Sequence, residues 1–265
     1  MDRPSTSRQS LDKVEMYEVR EHVPYQQAEV TRAPTTYDEE SGAEYDSSSW
    51  KSAWRALCQL FNLLHHMMSA IVVFCLWHFA LTSNANGQIT NLQLHIVFAG
   101  TGYQLFLVEA VLTLHRHNSW SFNLSEDGKR IVHGCLQVIG AIFVMAGTFL
   151  ALSETKMTVN TAHGILGVIA FAFTLLSFVT GIITLFSSKV KLMVKAGPIK
   201  IFHIAVGLFA LSVGLVSIVI GFHMDYFRVG REGMSSALMA FVLFILLYVL
   251  VQPLCDLVST TKRML

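Results

Sequence analysis

The chain has 265 residues, of which 53% are apolar and only 14% are charged. Soluble domains are about 25% charged, so this composition indicates lipid as the main solvent of the fold. The formal net charge of +1 gives no reason to expect nucleic acid or a strongly acidic partner. The four cysteines form no C-x-x-C pair, which excludes a thiol redox motif and covalent haem attachment of the c type.

The chain opens with a polar segment over residues 1–50, rich in Ser, Thr, Glu, Asp and Tyr. Such a segment cannot bury enough apolar surface to offset the entropy lost on ordering. The sequence therefore predicts a disordered tail over 1–50, followed by one transmembrane domain over 51–265.

Six apolar segments follow the tail, predicted at 56–82, 91–114, 130–152, 160–186, 200–222 and 236–257. Each is close to the ~20 residues with which an α-helix spans about 30 Å of hydrocarbon. In lipid, only helices and closed barrels satisfy every backbone hydrogen bond. We therefore expect an all-α integral membrane protein with six transmembrane helices.

Lys and Arg are distributed unevenly over the short loops, and this bias indicates the orientation in the membrane. One side carries only Lys156, Arg228 and Arg231. The other carries the rest of the loop cations: Lys51, Arg55, Arg116, Lys129, Arg130, Lys189, Lys191, Lys195, Lys200, Lys262 and Arg263. Both termini are thus predicted to be cytoplasmic. The expected location is an endomembrane, such as the endoplasmic reticulum or a vesicle, or the plasma membrane.

Four histidines each lie about one helical turn inside an apolar segment: His95, His133, His163 and His203. Ionisable residues are costly within a membrane and therefore indicate function. Because consecutive helices alternate in direction, His95 and His163 are predicted at one depth, and His133 and His203 near the opposite face. Two imidazoles from separate helices are what a bis-histidine b haem requires. The two pairs would lie about 18 Å apart along the membrane normal, which suits electron transfer.

An alternative interpretation is a non-enzymatic carrier or scaffold whose histidines pass protons or transition-metal ions. A proton relay favours carboxylates between the histidines, and only Glu109 and Asp256 lie within the apolar segments. Glu109 is predicted to pair with Arg116 or to take up protons linked to electron transfer. His65 and His66, in the first segment, are predicted to make helix-packing contacts or polar contacts at the edge of a haem.

Short motifs around the four histidines resemble the cytochrome b561 family. They are LH at 94–95 with EAVL at 109–112, KRIVHG at 129–134, AHGILG at 162–167, and FH at 202–203. The resemblance covers about residues 55–260 and is greatest to the transmembrane reductases with short loops. It implies that the second to fifth helices form a central four-helix bundle with two b haems. The implied ligand pairs are His95 with His163, and His133 with His203.

The resemblance also implies the redox partners. Cytoplasmic ascorbate would be the donor, monodehydroascorbate or a ferric chelate on the opposite side the acceptor, and a homodimer the usual assembly. In the family, cations beside the inner haem meet ascorbate, and Lys129 and Arg130 match these cations by position. The positive-inside rule, which places Lys and Arg on the cytoplasmic side, explains these two residues equally well. Arg116 closes LTLHR at 112–116, where many relatives carry a Tyr-Arg motif. No side chain is expected to be catalytic, because the cofactor carries the redox chemistry.

Overall fold

The structure is a computed structural model that describes residues 40–82, 87–187 and 196–262. Within these ranges the secondary structure is helical and includes no strand. Residues 1–39 of the predicted tail and four of the loop cations, Lys189, Lys191, Lys195 and Arg263, lie outside the described residues. From Ser47 onward the chain forms one compact unit.

In the described part of the chain, six helices are long and apolar enough to cross a membrane. They are α1 (Glu40–Thr82), α2 (Asn91–Leu112), α3 (Glu126–Glu154), α4 (Ala162–Ser187), α5 (Ala196–His223) and α6 (Glu232–Lys262). A four-residue helix, Asp225–Arg228, lies between α5 and α6. The predicted all-α fold with six transmembrane helices is confirmed, and the predicted segments correspond one to one with these helices.

Helix α1 begins earlier than the sequence predicts. It starts at Glu40, and its membrane-spanning part begins at Ser49, whereas the apolar pattern predicts the first segment from residue 56 and a tail over 1–50. Once a long apolar helix is nucleated, adding residues at its end costs little. The segment from 40 to 50 contains no proline to stop this extension.

Helix α2 contains an irregularity that hydropathy does not reveal. Its first part, Asn91–Thr101, continues as a π-helix over Gly102–Leu107 and returns to α-helix over Val108–Leu112. The wider i→i+5 pattern of a π-helix changes the direction in which the following side chains point. The end of α2 therefore faces differently from the end of a regular helix of the same length.

Helices α2 and α3 pack so closely that only glycine fits at their contact. A Cβ atom at Gly147 would lie 2.5 Å from the backbone nitrogen of Ala99, and a Cβ at Gly140 would lie 2.7 Å from Leu107. Small residues that allow close backbone approach are typical of helix packing in membranes. The antiparallel α2–α3 pair is thereby fixed in register.

The buried apolar core lies mainly among α1, α2, α5 and α6, with Val72, Leu215, Val242 and Ile245 fully buried. Large apolar side chains also cover the outside of the helices. Phe74 and Leu247, for example, are each 68% exposed. A surface of this kind is stable in lipid and would aggregate in water, as expected for a membrane-spanning bundle.

Candidate functional site

The first histidine pair joins the beginning of α2 to the beginning of α4. The ring centres of His95 and His163 are 6.0 Å apart, and the ring planes cross at 77°. Nδ1 of His95 donates to the carbonyl oxygen of Gly147 over 2.8 Å. Nδ1 of His163 donates to the carbonyl oxygen of Ser217 over 2.8 Å. Each ring is therefore held from a neighbouring helix rather than from its own.

The second pair joins the beginning of α3 to the beginning of α5 and repeats this pattern. The ring centres of His133 and His203 are 6.4 Å apart, and the planes cross at 88°. Nδ1 of His133 donates to the carbonyl oxygen of Ala110 over 2.7 Å, and Nδ1 of His203 to that of Ser177 over 3.0 Å. The two pairs therefore have the same construction.

These hydrogen bonds determine the tautomer of all four imidazoles. A carbonyl oxygen only accepts, so each Nδ1 carries the hydrogen and each Nε2 keeps its lone pair. Within the described residues no donor bonds any of the four Nε2 atoms. Each pair can therefore offer two Nε2 lone pairs to one metal ion.

The ring separations agree with such an ion. A metal–nitrogen bond of about 2 Å on each side, with about 1.1 Å from nitrogen to ring centre, gives a separation of roughly 6 Å. The observed separations are 6.0 and 6.4 Å. The residues present thus fit an iron porphyrin held by two imidazoles at each pair.

The pairs lie at opposite ends of the helices. His95 bonds Gly147 late in α3, whereas His133 lies early in α3 and bonds Ala110 late in α2. This is the arrangement of antiparallel neighbours. The two pairs therefore lie toward opposite ends of the α2–α3 pair.

Two glycines that the sequence reading missed lie against the imidazoles. A Cβ atom at Gly181 would lie 2.9 Å from Cε1 of His203, and one at Gly221 would lie 3.1 Å from Cε1 of His163. Each glycine is four residues after a serine whose carbonyl holds the same ring, Ser177 or Ser217. The repeated S-x-x-x-G in α4 and α5 is a sequence signal that could have identified them.

The three cations predicted to meet a substrate each have a carboxylate nearby. Lys129 contacts Glu126 at 3.0 Å and Arg130 contacts Asp127 at 3.1 Å, both in the first turn of α3. Arg116, in the loop after α2, lies 3.9 Å from Asp256 of α6. The pairs of Arg130 and Arg116 are exposed and contribute little stability, whereas the Lys129 side chain is only 12% exposed beside an exposed Glu126.

The predicted pairing of Glu109 with Arg116 is wrong. Glu109 instead contacts Nδ1 of His66 at 2.9 Å and accepts from the indole of Trp120 at 3.0 Å. The reason is the loop over 113–125, which folds back over the end of α2 and carries Arg116 away toward α6. His65 and His66, in the middle of the Ser49–Thr82 span of α1, lie beside this loop, and His66 contacts Asn118.

The chain matches the profile of a known protein family. The profile of eukaryotic cytochrome b561 matches residues 94–228, which is just over half of the chain and includes all four paired histidines. The chain belongs to the eukaryotic cytochrome b561 family. Neither the curated proteins nor the solved structures gave a match. Cytochromes b561 are membrane oxidoreductases that bind haem b and transfer electrons across the bilayer, and this general function applies to the present chain.

Membership of the cytochrome b561 family decides between the two interpretations left open by the sequence. It supports haem-based electron transfer and gives no support to a carrier or scaffold. The match begins at residue 94, after the end of α1, and ends at residue 228, before the start of α6, so both helices lie outside the matched region.

Proposed function

We propose that this cytochrome b561 carries electrons across the membrane through two b haems. His95 and His163 would be the axial ligands of one haem, and His133 and His203 those of the other. The observation that supports this proposal is the shared construction of the two pairs: matched ring separations, Nδ1 atoms held by carbonyl oxygens, and Nε2 atoms without a hydrogen-bond donor among the described residues.

Haem b, when bound, supplies a one-electron ferric/ferrous couple. The contribution of the chain is to hold the four imidazoles in place. A carbonyl that accepts the Nδ1 hydrogen fixes the ring orientation and makes Nε2 a stronger electron donor. Surrounding apolar residues would exclude water. The carbonyl bond and the exclusion of water would both tune the reduction potential of the haem, and neither requires a conformational change.

The proposed donor is cytoplasmic ascorbate, and the proposed acceptor is monodehydroascorbate or a ferric chelate on the opposite side. Lys129, Arg130 and Arg116 would attract the anionic donor. Their present partners are mostly exposed carboxylates, which an incoming anion can replace. The proposal has both termini in the cytoplasm and includes a homodimer in an endomembrane or in the plasma membrane.

The ligand assignment is tested by optical spectroscopy of the purified protein. The reduced-minus-oxidised spectrum and the pyridine haemochrome assay should give two haems b per chain. His95→Ala and His133→Ala should each lose one haem, and the two remaining spectra should differ. His78→Ala, which changes an exposed histidine in α1, is the matched control and should keep both haems.

The donor is tested separately in proteoliposomes. Ascorbate on the side of the 113–125 loop should reduce a ferric chelate on the other side, and Lys129→Gln with Arg130→Gln should raise the KM for ascorbate. Wild-type protein that contains no haem would overturn the electron-transfer proposal. If the protein binds two haems but ascorbate does not drive electron transfer, the ligand assignment stands and ascorbate is excluded as the donor.

A further inference from the structure

A third cluster of metal-binding side chains lies away from the two histidine pairs. His65 and His66 of α1 meet Glu109 near the end of α2, and one potential ligand atom from each residue lies within 4.8 Å of the others. Nδ1 of His66 is 2.9 Å and Nε2 of His65 is 3.9 Å from the same carboxylate atom, Oε1 of Glu109. Adjacent residues of one helix cannot hold opposite faces of a porphyrin, so this is not a haem site.

Hydrogen bonds fix the orientation of the His66 ring. Nδ2 of Asn118 donates to the carbonyl oxygen of Leu112 over 3.0 Å and to Oγ of Ser121 over 2.9 Å. Since a carbonyl only accepts, this settles which end of the amide is oxygen. Oδ1 of Asn118 therefore faces Nε2 of His66, 3.3 Å away, and accepts its hydrogen.

A positive charge is consequently needed between His66 and Glu109. With the hydrogen on Nε2, Nδ1 of a neutral His66 directs its lone pair at Oε1 of Glu109, only 2.9 Å away. Two acceptors repel one another at this distance unless a proton or a metal ion lies between them. The second carboxylate oxygen, Oε2, is already held by the indole of Trp120 at 3.0 Å, so Oε1 remains for the cation.

His65 provides the observation that favours a metal ion over a proton alone. Its side chain is fully buried, and neither ring nitrogen has a hydrogen-bond partner among the described residues. Buried polar atoms are almost always paired, so an unpaired imidazole aimed at a carboxylate needs an explanation. The ring of Tyr248 stacks on it with ring centres 5.3 Å apart, which holds Nε2 toward Glu109.

We propose that His65, His66 and Glu109 bind one divalent transition-metal ion, represented by zinc. Ligands of a tetrahedral zinc with bonds of about 2 Å lie roughly 3.3 Å apart. The two observed separations, 2.9 and 3.9 Å, lie on either side of that value. Two imidazoles and one carboxylate are also a donor set that leaves a fourth position open for water.

The cluster is partly accessible at His66 and Glu109. The side chains of His66 and Glu109 are 26% and 13% exposed, whereas His65 closes the inner wall. Trp120 and Asn118, both in this loop, hold the outer ligands in position, as partners of metal ligands commonly do. Metal would displace the proton between His66 and Glu109, so affinity should rise with pH.

Zinc binding to the full-length, haem-loaded protein tests the proposal. Protein in detergent is stripped with a chelator, supplied with zinc chloride and desalted, and zinc per chain is measured by mass spectrometry. Affinity is obtained by competition with a chromophoric zinc chelator at several pH values. We expect one zinc per chain, bound more tightly at pH 8 than at pH 6.

The variants separate the cluster from other histidines. Glu109→Gln and His65→Phe should each lower zinc affinity at least tenfold, while the haem content stays unchanged. His65→Phe keeps an aromatic ring against Tyr248, so it provides a folded variant even where Glu109→Gln does not fold. The control His78→Asn, an exposed histidine of the same helix, should bind zinc as the wild type does. Wild-type protein without stoichiometric zinc, or equal affinity in His65→Phe, would overturn the proposal.

Discussion

The imidazole planes of His133 and His203 cross at 88°, with their ring centres 6.4 Å apart. The carbonyl oxygens of Ala110 and Ser177 hold the two rings at this angle. Since these acceptors belong to the backbone of neighbouring helices, helix packing restrains the side-chain rotation of each imidazole and so sets the angle.

The crossed planes predict a specific electron paramagnetic resonance spectrum. Perpendicular imidazoles donate into different iron d orbitals and leave them nearly equal in energy, which gives a low-spin ferric signal with one very large g value. The His95–His163 planes, at 77°, predict the same class of signal. Spectra of the oxidised protein at helium temperature check this, and a low-spin signal with three well-resolved g values from parallel rings would contradict it.

Gly181→Ala should weaken haem binding at one pair only. The new methyl group would lie 2.9 Å from Cε1 of His203 and force the ring away from the Ser177 carbonyl. Loss of such a supporting bond lowers metal affinity by roughly 10–100-fold. The haemochrome assay should show haem content falling from two toward one per chain, with the spectrum resembling that of His133→Ala.

The matched variant Gly221→Ala should affect the other pair more mildly, because its added methyl would lie 3.1 Å from Cε1 of His163. Gly233→Ala is the control, since no atom lies within 4 Å of a Cβ at that position. If Gly181→Ala and Gly233→Ala retained equal haem, the close approach to His203 would have no functional consequence.

Most of the fold could be predicted from the sequence, because the length of each apolar segment and the alternating direction of successive helices can be read along the chain. The six segments and the equal depths of His95 with His163 both come from counting residues between apolar boundaries. The carbonyl acceptors and the π-helix at 102–107 depend on contacts between helices, which no single-helix pattern records. The third cluster was missed for a related reason: Glu109 of α2 meets His66 of α1 through contacts between helices, and Asn62 docks the adjoining 113–125 loop onto α1.

Gly147→Ala should destabilise the whole bundle. Its methyl group would lie 2.5 Å from the backbone nitrogen of Ala99, which cannot move aside without separating α2 from α3. Overpacking of this kind costs about 1–3 kcal/mol. The apparent melting temperature in detergent, followed by tryptophan fluorescence, should fall by several degrees, and a value equal to that of the wild type would contradict the tight α2–α3 contact.

The stability of the protein should decline in mild acid because of His115, in the loop after α2. Burial lowers the pKa of this imidazole to about 4, and the ring lies against Tyr248 with centres 6.1 Å apart. In the unfolded chain the pKa is about 6.5, so the unfolded state takes up a proton first as pH falls. The folded state is therefore fully stable above pH 6.5 and loses about 3 kcal/mol between pH 6.5 and 4.

His115→Phe removes this proton-linked loss while keeping an aromatic ring against Tyr248. The variant and the wild type should melt at similar temperatures at pH 8, and the variant should melt several degrees higher at pH 5. His78→Phe, which changes an exposed histidine of α1 that does not act on the His115 imidazole, is the control and should leave the acid sensitivity unaltered. Parallel melting curves for wild type and His115→Phe across this pH range would show that another group causes the decline.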